Sequence, residues 1–103
     1  MINHVVLFKL KDFPDGEKQE VRERIKSLLE GLKGKISELK YIEVGLNVEL
    51  NTRAYDVSLI THFESKADLD TYAVHPEHLK VSDYIRASTS ARAAVDYSFY
   101  NPI

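Results

Sequence analysis

The chain has 103 residues, 44% of them hydrophobic, which suffices for one core and leaves no room for a second domain, so residues 1–103 read as a single domain. Its 16 acidic and 14 basic side chains are scattered and sum to −2, so no basic field exists to attract nucleic acid or an anionic membrane. Cysteine is absent, which excludes disulfides and thiolate metal sites; with an apolar start too short for a signal peptide, the expected location is cytoplasmic.

Residues 2–10 form an apolar, β-branched run that presents Val5, Val6, Leu7 and Phe8 to both faces, as a strand covered on each side would. Phe13-Pro14-Asp15-Gly16 stops it. From Glu17 the apolar residues fall at Val21, Ile25, Leu28, Leu29 and Leu32 with charges between them, which predicts an amphipathic helix ending at Gly31 or Gly34. Two strands follow. Ile42, Val44 and Leu46 alternate within residues 41–48, and Tyr55, Val57, Leu59 and Thr61 within residues 54–63, with a hairpin turn at Asn51-Thr52-Arg53. The phase of the second is open: either Leu59 or Ile60 faces the helices.

Ser65-Lys66-Ala67-Asp68 has the pattern of a capping box and opens a helix that turns Leu69 and Tyr72 inward until Pro76 interrupts it. A second helical piece runs over residues 76–88 with His78, Val81, Ser82 and Ile85 at three- and four-residue spacing. Val95, Tyr97 and Phe99 then alternate with Ala94, Asp96 and Ser98 as a last strand. This order predicts an α+β fold of the ferredoxin-like βαββαβ type, a four-stranded antiparallel sheet with helices on one face only. The other face would expose a large apolar patch unless a second copy covers it by two-fold symmetry.

Chemistry concentrates in Tyr72-Ala73-Val74-His75-Pro76-Glu77-His78. With Pro76 at the first helical position, His78 falls in the first turn, where the positive end of the helix dipole disfavours imidazolium. A neutral histidine can accept a proton while a phenol steadies the developing charge. His75 precedes the proline and is expected to cap the break. His75 and His78 lack a third ligand, so no metal is expected. Arg92 on a final strand is ordinarily solvated or paired, with Asp96 on the same face as its candidate partner.

Taken in order, His4-Val5-Val6-Leu7-Phe8-Lys9, Glu43-Val44-Gly45-Leu46-Asn47, Tyr55-Asp56-Val57-Ser58-Leu59, Phe63-Glu64-Ser65, Tyr72 through His78 and Val95-Asp96-Tyr97 resemble the stress-responsive A/B barrel domain family of the dimeric α/β-barrel superfamily. The resemblance implies a homodimer whose sheets form a barrel, with a small-molecule pocket between sheet and helices in each subunit and no cofactor. A plant polyketide cyclase of this family has its catalytic histidine and tyrosine at positions matching His78 and Tyr72, and a pocket histidine matching His4. The implied lining is His4, Val6, Phe8, Val81, Arg92 and Ala94; Arg92 and Ala94 replace aliphatic residues of the cyclase, which points to a more polar ligand. Two readings follow: a stress-related protein that holds a ligand, or a cofactor-independent cyclase, lyase or isomerase with His78 as general base and Tyr72 as hydrogen-bond donor.

Overall fold

In the computed structural model, which describes residues 1–49 and 53–100, the opening apolar run forms strand β1 (Ile2–Leu10). Helix α1 (Asp15–Glu30) starts slightly earlier than expected, with Asp15 and Glu17 in its first turn, where carboxylates meet the positive end of the helix dipole. The helix stops at Glu30, and turns carry the chain on to Gly34, whose φ of 86° is a conformation a side chain would strain. Leu32, Ile36 and Leu39 on this connection are all buried, so it contributes to the core.

Strands β2 (Tyr41–Leu46) and β3 (Val57–Phe63) are shorter than the alternation suggests. The reason is a polar cluster beyond their ends. The Asn47 amide donates to the Tyr55 carbonyl at 2.6 Å, the Asp56 carboxylate accepts from the Leu10 N–H at 2.8 Å, and Arg22 of α1 donates to the Asn47 carbonyl. These bonds satisfy buried polar groups that a longer ladder would otherwise claim. The turn expected at Asn51 and Thr52 lies outside the described residues. Val57, Leu59, Thr61 and Phe63 are all buried, so Leu59 faces the helices and Ile60 the opposite side.

Helix α2 (Lys66–Val74) begins as the capping pattern predicts: the Ser65 hydroxyl accepts from the Asp68 N–H at 3.1 Å. His75, extended at φ −64° and ψ 136°, ends α2 and starts α3 (Pro76–Ser88); its Nδ1 accepts from the Glu77 N–H at 3.1 Å. Helix α3 passes directly into strand β4 (Thr89–Ser98), which therefore begins well before the alternation that marks it in the sequence.

The strand order is β2-β3-β1-β4, antiparallel throughout. The core lies between the sheet and the helices, where Val6, Phe8, Leu59 and Phe63 meet Ile25, Leu29, Leu69 and Ile85. Each such side chain contributes about 1.5–3 kcal/mol on burial. The opposite face carries Val5, Leu7, Ile60, Val95 and Tyr97, and it is only partly covered: Leu7 is 38%, Val95 55% and Tyr97 46% exposed. On the helix side, Arg92, Ala94 and Asp96 of β4 are also exposed. No described helix is long and apolar enough to cross a membrane.

Candidate active site

The helix layer stops short of β4, and the resulting gap is a cleft of about 560 Å³ between the sheet and α3. Its floor is Val6, Phe8 and Leu59 of the sheet with Leu29 of α1, all buried. His4 enters from β1, His78, Ser82, Ile85 and Arg86 from α3, and Arg92 from β4. The antiparallel register sets His4 directly opposite Asp96 on β4, and the His4 Nδ1 pairs with the Asp96 carboxylate. A carboxylate only accepts, so Nδ1 carries the hydrogen and Nε2 is left as the acceptor nitrogen whenever the ring is neutral.

His78 is arranged in the same sense. Its Nδ1 donates to the Ala73 carbonyl at 3.1 Å, across the break made by Pro76, again leaving Nε2 as the acceptor. Its ring centroid stands 4.4 Å from that of Tyr72. Burial pushes the His78 pKa below its ordinary value, the Ala73 carbonyl opposes this, and His4, Arg92 and His75 add smaller repulsions in the same direction as burial. The ring is thus held neutral, as the sequence suggests, but desolvation is the leading cause. The cleft therefore holds two imidazoles with their Nδ1 atoms tied down and a guanidinium within electrostatic reach of one of them.

Tyr72 stands behind His78 and off the cleft wall. It is 1% exposed, its ring centroid is 4.9 Å from that of Phe63, and its hydroxyl has no hydrogen-bond partner among the described residues. Burial raises its pKa to about 12, so the phenol stays protonated. Among the ligand-binding residues expected from the sequence, His4, Val6, Phe8 and Arg92 line the cleft. Val81 belongs to the core cluster, and Ser82 takes the wall position next to it. Ala94 lies on the exposed strand beyond the lining. Among the described residues Arg92 forms no ion pair with its candidate partner Asp96: the two share a face of β4 but stand four positions apart on an extended strand, about 13 Å between Cα atoms, and Asp96 instead meets His4 directly across the ladder.

The sequence reading missed two groups. Asp96 could not be matched to His4 without the β1 and β4 register. Arg86 did leave a signal, since His78, Ser82 and Arg86 recur at four-residue spacing along one helix face. Among the described residues, no three histidine or carboxylate side chains converge to hold a metal ion.

The family model for the Stress responsive A/B Barrel Domain matches residues 2–99. The chain is 34% identical over 88 residues to a stress-response A/B barrel domain-containing protein of Arabidopsis thaliana, covering 79% of this chain and 30% of that protein. It spans less than half the length of that relative and of a second curated relative from the same plant. A dimeric protein of unknown function and ferredoxin-like fold from Bacteroides fragilis shares 38% identity, with a TM-score of 0.87 and 95% of each chain covered. Two further solved structures of this fold are also described as dimeric. The hydroxynitrile lyase of Passiflora edulis superposes with a TM-score of 0.81 over 99% of this chain and 95% of that one, at 15% identity, a likeness of fold.

Proposed function

Because this chain belongs to the stress-responsive A/B barrel domain family, we propose that it is a cytoplasmic, stress-related homodimer in which each subunit binds a small organic molecule and moves a proton on it without a cofactor. The observation that carries this reading is the meeting of His4 and His78 in one cleft, each with its Nδ1 occupied and its Nε2 left as acceptor. In the proposed reaction, His78 is the general base at a carbon next to a carbonyl. His4, positioned by Asp96, is the second proton-transfer group, and Arg92 holds an oxygen of the substrate. That a lyase occurs on this fold in Passiflora edulis agrees with chemistry of this class. The apolar outer face of the sheet, with Val5, Leu7, Ile60, Val95 and Tyr97, supports the dimer, as do the dimeric relatives.

Ligand holding without turnover is a second reading, and Tyr72 favours it. Its hydroxyl is sealed behind His78, so the donor half of the histidine and tyrosine pair does not reach the cleft. Incubation with a cell-extract metabolite mixture, followed by mass spectrometry, separates the two. Under the catalytic reading the wild type consumes some compound, and His78→Ala slows this by about a hundredfold or more, the range of general acid–base catalysis. If nothing is consumed, or if the variant consumes it equally, the catalytic reading is lost. Tyr72→Phe removes a hydroxyl that is unpartnered among the described residues, so it should leave stability unchanged or raised by about 1 kcal/mol in thermal unfolding. A large loss of turnover at undiminished stability would instead return Tyr72 to the reaction.

A further inference from the structure

The charges of this chain are sorted. Acidic residues outnumber basic ones overall, 16 to 14, yet the cleft wall carries Arg86, Arg92, His4 and His78 and no carboxylate. The carboxylates nearby leave the arginines largely free. Asp96 is taken by His4, and no described carboxylate forms an ion pair with Arg92. Arg86 has only a 3.8 Å contact with Asp83, between two well-exposed side chains, a pairing of little strength. At the other end, the floor of Phe8, Leu29 and Leu59 is apolar and buried.

The site thus has two chemically distinct ends. Guanidinium groups at a cleft mouth, uncommitted to protein carboxylates, match the planar or forked oxygens of an anion. An apolar floor rewards burial of hydrocarbon, and about 560 Å³ is a typical volume for a small organic ligand. We infer that the cleft is built for an amphipathic organic anion, its carboxylate or phosphate head between Arg86 and Arg92 and its apolar part against Phe8, Leu29 and Leu59. This rests on the proposal that the cleft is a small-molecule site, and it adds the class of molecule. Burial that keeps His78 uncharged agrees with it, because the positive charge of the cleft is then left to the mouth.

The test is a titration of the ¹⁵N-labelled full chain with hexanoate, hexyl phosphate, hexanamide and acetate, read by amide shifts of Phe8, Ser82 and Ala91 in the wild type, Arg86→Ala and Arg92→Ala. One of the two long-chain anions should bind about tenfold tighter than hexanamide, and acetate, lacking the apolar part, should bind more weakly than either anion. The tighter of hexanoate and hexyl phosphate identifies the head group. Each arginine variant should weaken that anion by about fivefold, with Arg92→Lys between wild type and Arg92→Ala. Hexanamide binding as tightly as the anions, or arginine variants that bind them unchanged, would overturn the inference while leaving the cleft as a small-molecule site. Cleft amides that respond to none of the four probes would overturn the inference and the binding proposal together.

Discussion

β3 and β4 both alternate in sequence, but they have opposite fates in the fold. Every second residue of β3 is buried under the helices, from Val57 to Phe63, because the strand is central and the helix layer lies on it. β4 is an edge strand that the helices do not reach, and almost all of it is exposed on both faces. The same period-two pattern therefore means core in one strand and exposed surface in the other. The helix side of β4 gives Arg92 and Asp96 to the cleft region, and its other side adds Val95 and Tyr97 to the apolar face proposed to meet a second subunit. Buried and exposed surface are divided across the sheet, and the division follows from where the helix layer ends.

The contrast would be tested most severely by substitutions on both strands. Leu59→Ala in β3 should cost about 2–5 kcal/mol in chemical denaturation, the range for buried leucines that leave a cavity. Ala94→Ser in β4 should shift stability by no more than about 0.5 kcal/mol, as exposed positions do. Comparable losses at the two sites would mean that β4 is a core strand after all. On the outer side, Val95→Glu should convert the proposed dimer to a folded monomer, seen by sedimentation, since it puts a charge into the apolar patch. A dimer that survives this change would move the interface elsewhere.

The smallest effect concerns the cleft itself. His78 has a folded-state pKa below its ordinary value of 6.5, so the unfolded chain binds the extra proton first. Its contribution is therefore intact above about pH 6.5 and declines as pH falls through the lowered folded value. Thermal midpoints measured from about pH 7 to pH 5 should fall less steeply in His78→Gln than in the wild type. Parallel curves would mean that His78 titrates as it does in water and that the cleft does not desolvate it.

The helix break, the Ser65 and His75 caps, and the placing of His78 in the first turn of α3 are all readable in the sequence, because each depends on residues within a few positions of one another. The burial of Leu32, Ile36 and Leu39 is not readable in the same way, since a stretch without helical period gives no sign of its inward face. The cleft is legible in part. His4, Val6, Phe8, His78 and Arg92 come together on its wall, whereas Tyr72 withdraws behind His78 and Val81 into the core.

What the amino-acid sequence determined by itself is local: the order of strands and helices, the proline break, the neutral character expected of His78, and the family to which the chain belongs. The tertiary structure decided what lies far apart in the chain. It paired His4 with Asp96, 92 residues on, left Arg92 without that partner, and sealed the Tyr72 hydroxyl. Periodicity says which residues share a face of one element, but strand register and the edge of the helix layer decide what those faces meet.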